Sequence, residues 1–137
     1  MDRDLHDRYL DVIANQAGPL SDAMHQMGVA AGAAGRSLSE DDLKNARATF
    51  ADVRAAASSF LNGLVGSQAP LYLRGADGQL QDALKLIIDG AHRGVVATGA
   101  RDGAALIAAA KEMNDATRDI VAAASRITSW RSGAAAP

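Results

Sequence analysis

Residues 89–103 read DGAHRGVVATGARDG, and how this stretch is read decides the fold. Glycines stand at 90, 94, 99 and 103, around one histidine and two arginines. A glycine-rich loop that cradles phosphate follows a strand and ends in Gly-Lys-Ser/Thr, because the lysine and hydroxyl reach the phosphates and the metal. Here Ala100 and Arg101 fill those places, and the residues ahead of the stretch are helical in period, not extended. The alternative is a helix packed closely on its neighbours, then a turn. Gly90 and Gly94 lie one turn apart at the flank of an apolar face, where a missing side chain lets a neighbouring backbone approach. Gly99 suits a helix C-terminus, and Asp102-Gly103 suits the start of the next helix.

Working outward, the same 3.6-residue period runs on both sides. Upstream, Leu80, Leu84, Ile87, Ile88, Ala91 and Val95 share a face with Gly94 and Thr98, and Asp77 is the expected N-cap. Downstream, Leu106, Ala110, Met113, Thr117, Ile120, Val121, Ala124 and Ile127 align, with Lys111, Asp115, Arg118, Asp119 and Arg126 opposite. Earlier in the chain SLSEDDLKNA places Ser39 as N-cap before three acids that the helix dipole favours. Leu43, Ala46, Phe50, Val53, Ala57, Phe60, Leu61 and Leu64 then form a stripe ending at Gly66. The first segment carries Leu5, Tyr9, Val12, Ile13, Gln16, Leu20, Ala23, Met24, Met27 and Ala31 on one face. Gly18-Pro19 interrupts it without changing the phase of that face, which predicts one helix kinked at this point. It fades into the glycine-rich GVAAGAAG at 28–35. Residues 67–77, SQAPLYLRGAD, form the longest irregular connection, with Leu71, Tyr72 and Leu73 folded over one end of the core.

The expected fold is therefore all-α, an up-down-up-down four-helix bundle of helices about 33–48 Å long at 1.5 Å per residue. A single domain spans 1–131, and SGAAAP at 132–137 forms a flexible tail. Composition agrees: 48% of residues are hydrophobic but only 4% aromatic, a mixture that favours helix over strand.

The net charge of −2, with no clustered lysine or arginine, argues against nucleic-acid binding. The absence of cysteine excludes disulfides, thiolate nucleophiles and cysteine-ligated metals. No apolar run approaches the roughly 20 residues of a transmembrane helix. MDRDLHDRYL is charged and helix-like, so either the chain is cytosolic or an export signal has been removed ahead of it.

Asp22-x-x-His25 and Asp89-x-x-His92 repeat a spacing related to the Glu-x-x-His pairs of di-iron bundles. In projection, however, Asp22, His25 and Asp89 point about 140–170° from the core stripes, and His92 about 110°. No metal site is expected. Met24 and Met27 face inward one turn apart; they suit core filling better than haem or copper ligation, for which His6 is the nearest partner. Ser58, Ser59 and Ser125 have no histidine–acid partners and no nucleophile elbow. No cofactor, and no enzymatic activity, is expected.

The segment 68–127 has a proline near the end of one helix, a Gln-x-x-Asp-Ala-Leu helix, a short Gly/Asp turn and an alanine-rich helix. In pattern this resembles the helical hairpin of small exported bacterial four-helix-bundle domains of the lipoprotein and sensor type. It departs from the lipoproteins in lacking a cysteine for lipid attachment. The resemblance implies a non-enzymatic interaction or sensory module, placed outside the cytoplasm at the cell envelope.

Two functional readings follow. One is that interaction module, acting on a protein partner or on a second copy through the small-residue strips Gly28–Gly35 and Ala104–Ala110. The other is a bundle that binds a small lipophilic ligand or a metal. Its pocket would be lined by Tyr9, Met24, Met27, Phe50, Phe60 and Tyr72 and opened at the Gly18-Pro19 kink.

Overall fold

In a computed structural model, residues 2–133 are described, with side chains from 5 to 128. Among them the chain forms four α-helices: α1 (Asp2–Ser37), α2 (Glu40–Ser67), α3 (Arg74–Ala100) and α4 (Gly103–Gly133). A single 3-10 turn, Leu71–Leu73, precedes α3. Each helix packs on the next in sequence and α4 returns to α1, forming the expected up-down ring. The α1–α4 seam is the thinnest of the four. α4 runs on through Ser132 and Gly133, two residues into the expected tail; 134–137 lie outside the described residues.

The predicted stripes are the core. Tyr9, Met27, Phe50, Phe60, Leu80, Leu84, Ile87, Leu106, Met113 and Ile127 are all fully buried. Burial of such side chains contributes about 1.5–3 kcal/mol each. Val121 is the exception on α4: it is 61% exposed, and Ala123 and Ala124 take the inward positions on either side of that turn. The face also proves wider than the stripes, taking in His6, Leu10, Ala30 and Ala34 on α1.

α1 is longer than expected, 36 residues, and runs unbroken through Pro19 and through the glycine-rich segment to Ser37. Proline removes the donor that would bond the carbonyl four residues earlier. Here Asn15, Gly18 and Pro19 all face solvent, so that carbonyl is left to water and the helix continues. Alanine supplies the compensating propensity around the later glycines.

The turns hold two corrections. Gly99 is not the helix end; α3 extends to Ala100, and Arg101 takes the left-handed conformation at φ 55°, ψ 37°. Arg101 N–H donates to Thr98 O and Asp102 N–H to Ala97 O, the two bonds of a Schellman end, with arginine where glycine is usual. At the α1 end Leu38 does the same at φ 52°, with its N–H donating to Ala34 O. The Arg101 guanidinium donates to the Leu38 carbonyl at 3.3 Å, tying the two turns together. The expected caps at Ser39 and Asp102 hold: Asp42 N–H donates to Ser39 Oγ and Ala105 N–H to Asp102 Oδ1.

The second correction is at the opposite end. The irregular part of the α2–α3 connection is only residues 68–70; the 3-10 turn then feeds directly into α3 at Arg74. Asp77 is therefore inside the first turn of α3 and is not its N-cap. Leu73 inserts into the core at 2% exposure, but Leu71 (74%) and Tyr72 (42%) turn outward instead of covering it.

Gly90 and Gly94 do mark close packing, but against side chains. A Cβ at Gly94 would lie 2.4 Å from the Phe50 ring, and one at Gly90 would lie 2.5 Å from Met113 Cγ. α3 thus receives one large side chain from α2 and one from α4 in two successive notches. The close backbone approach occurs elsewhere, at Gly103, where a Cβ would lie 2.7 Å from the Gly35 carbonyl oxygen.

Candidate functional site

Two surface features stand out from this scaffold, a cleft at one end and a groove along one side. The end cleft lies where the α1 N-terminus, the α2–α3 connection and the start of α3 meet. It has a volume of about 770 Å³ and is lined by Leu5, Gln68, Ala69, Pro70, Leu71, Tyr72, Arg74 and Asp77. Gln68 bends the chain there with φ 55°, ψ 107°.

Polar contacts organise this end. Tyr9, fully buried at its ring, donates its hydroxyl to Asp77 Oδ1 at 2.6 Å. Gln81, one turn on, donates to Asp77 Oδ2 at 2.7 Å. Burial, and then the hydrogen bond to the Asp77 carboxylate and its charge, push the Tyr9 phenol far above its ordinary range. The phenol therefore stays protonated and stays a donor. Beside it His6, only 8% exposed, has Nδ1 2.9 Å from the Tyr72 hydroxyl, with the rings stacked at a centroid distance of 5.8 Å. Arg126 and Gln79 are hydrogen-bonded, joining α4 to α3.

Of the six pocket residues expected from sequence, Tyr9, Met24, Met27, Phe50 and Phe60 sit in the packed core. Tyr72 alone lines the end cleft. His25 and His92, with Asp22 and Asp89, are exposed on the outer faces as the projection required. Among the described residues no three histidine or acidic side chains come together as a metal site.

Along the α3–α4 hairpin lie two neighbouring hollows. One, about 370 Å³, is lined by Val96, Ala97 and Ala100 of α3 and by Ala105, Ala108 and Ala109 of α4, with Asp102 at the turn. The other, about 410 Å³, is lined by Leu86, Asp115, Ala116 and Asp119. They share Arg93 and Glu112, which pair across the groove at 2.5 Å. Four carboxylates thus face one guanidinium, and that one is already paired with Glu112. Leu86 and Val96 remain more than half exposed beside it.

The small-residue strips divide. Gly28 faces open space, Gly35 packs on Ile107 of the same chain, and the alanines of 104–110 split between the core and this groove. Sequence reading missed the groove because Ala105 and Ala108 look like helix filler. The signal available was a hairpin with alanine on both facing flanks and acids spaced 112, 115, 119 on one of them.

The fold and these surfaces define the chain as an all-α four-helix bundle. Among the described residues no helix is long and apolar enough to cross a membrane. No family model, curated protein or solved structure matches it.

Proposed function

We propose that the protein is a non-enzymatic interaction module whose α3–α4 groove receives an amphipathic helix carrying basic residues at one end. The observation that carries this reading is the layout of the groove: an alanine-floored half beside Val96, whose Asp102 is spent on capping α4, and beyond the Arg93–Glu112 bridge an acidic half at Asp115 and Asp119. Alanine keeps the two flanking backbones low, so a guest helix can lie between them with its larger side chains in the trough. Apolar contact would supply most of the affinity, while the carboxylates fix direction and favour a cationic partner over an acidic one. A second copy fits less well, because a two-fold axis across the groove sets each acidic half against an apolar one. The pattern resemblance of 68–127 to exported bundles extends the proposal to a sensory or scaffolding role at the cell envelope, which fractionation of cells expressing the protein from its own gene tests.

The groove is tested with a fluorescent amphipathic peptide bearing leucines on one face and lysines at one end, read by anisotropy. Saturable binding that weakens with salt, and weakens about tenfold or more in D115N/D119N and in A108E, is the expected result. Equal binding of a peptide with glutamate in place of lysine overturns it. So does salt-insensitive dimerisation of the protein that A108E abolishes, which would make a second copy the occupant.

A further inference from the structure

We infer that the end cleft is a binding site for a zwitterionic small molecule with an apolar body, of the amino-acid or short-peptide class. The inference is independent of the groove. Arg74 and Asp77 lie three residues apart on the first turn of α3, a spacing within reach of an ion pair. They do not pair here: among the described residues Arg74 has no ion pair, and the Asp77 oxygens are turned to Tyr9 and Gln81. Both residues line the same cleft. A carboxylate oxygen accepts more than one hydrogen bond, so Asp77 retains acceptor capacity after those two.

Coulomb's law then sorts the ligands. A simple organic anion gains at Arg74 and loses at Asp77, a simple amine does the reverse, and a neutral lipid leaves both charges to be desolvated without return. A molecule with its own carboxylate and ammonium satisfies both. The remaining wall supplies its apolar contact: Leu5, Pro70 and Leu71, of which Leu71 stands 74% exposed. The volume of about 770 Å³ admits a dipeptide as readily as a single amino acid.

The test uses leucine and leucyl-leucine, each beside two blocked analogues of its own: the N-acetyl form, which lacks the ammonium, and the C-terminal amide, which lacks the carboxylate. Titrations followed by amide NMR shifts are expected to saturate for at least one of the two zwitterions, with the changes centred on Leu71 and Arg74. The blocked analogues of that zwitterion are expected to bind tenfold or more weakly. Arg74→Gln, on an exposed side chain, is expected to remove that preference over the amide while leaving the melting temperature in place; Asp77→Asn is expected to remove the preference over the N-acetyl form. Failure of both zwitterions to saturate into the tens of millimolar overturns the inference. Blocked analogues that bind as tightly as their parents, or an R74Q variant that binds the zwitterion unchanged, overturn it equally.

Discussion

The two ends of this bundle are closed in different ways. At the end formed by Leu38 and Arg101 the closure is made by backbone: two left-handed helix terminations, a carbonyl of Gly35 against Gly103, and one guanidinium bridging the turns. At the end formed by His6 and Tyr72 it is made by side chains far apart in sequence, the Tyr9–Asp77 and His6–Tyr72 pairs. Backbone closure brings the two turns into direct contact, Gly35 on Gly103. Side-chain closure leaves a cleft with Arg74 and Asp77 at its wall.

If the backbone-closed half is tight, added volume there should be the most damaging change in the protein. Gly94→Val is expected to cost about 3 kcal/mol, since its Cβ would lie 2.4 Å from a ring atom of fully buried Phe50. Gly28→Ala is the control: nothing lies within 4 Å, so it is expected to stabilise by about 1 kcal/mol through helix propensity. Urea denaturation of both variants measures the difference. A mild Gly94→Val effect would mean that the Phe50 ring has space to move and that the notch is not a fixed one.

At the side-chain-closed end the largest single loss is expected from Tyr9→Phe, about 1.5–3 kcal/mol, because the hydrogen bond to a charged acceptor disappears. It carries a pH signature. The folded phenol is held above its ordinary value, near 10 in an unfolded chain. Below that value both states keep the proton and stability is level; above it only the unfolded state releases the proton, so stability falls as pH rises. The wild type is therefore expected to lose melting temperature above about pH 10 more steeply than Tyr9→Phe. Parallel slopes would show that the phenol ionises in the folded protein and that the buried contact is loose.

The two ends also differ in how well sequence reveals them. Helix caps and stripes obey local rules, so Ser39, Asp102 and the faces from Leu43 to Leu64 and from Leu80 to Ala91 were legible from spacing alone. The His6–Tyr72 and Tyr9–Asp77 contacts span 66 and 68 residues, beyond any periodicity, and Asp77 in that position imitates a cap. The position of Tyr72 near the end of the core follows from the sequence, but outward versus inward depends on a 3-10 turn that the run QAPLYL does not announce. The groove was invisible for the opposite reason: it consists of side chains that are nearly absent. Among the caps, Ser39→Ala is expected to cost about 1 kcal/mol in the same denaturation measurement, less than either change above. A cost near zero would show that the bond from Asp42 N–H to Ser39 Oγ adds nothing over water.

The smallest expected effect asks whether backbone alone closes the Leu38–Arg101 end. A residue with a Cβ in the left-handed region carries about 1–2 kcal/mol of strain that glycine avoids. Leu38→Gly keeps the carbonyl that accepts from Arg101 and the N–H that donates to Ala34. It loses some packing, because Leu38 reaches towards Gly103 and is 38% exposed. The two effects leave an expected gain of about 0.5 kcal/mol. Arg101→Gly relieves the same strain but loses a hydrogen bond that is exposed and 3.3 Å long, so it is expected to gain less. The double variant separates the terms. If the two turns are strained independently the two gains add, whereas a departure from the sum measures coupling between the turns. If Leu38→Gly instead destabilises by more than its lost packing, this end too is held by side chains, and the contrast with the His6–Tyr72 end becomes one of polarity and not of construction.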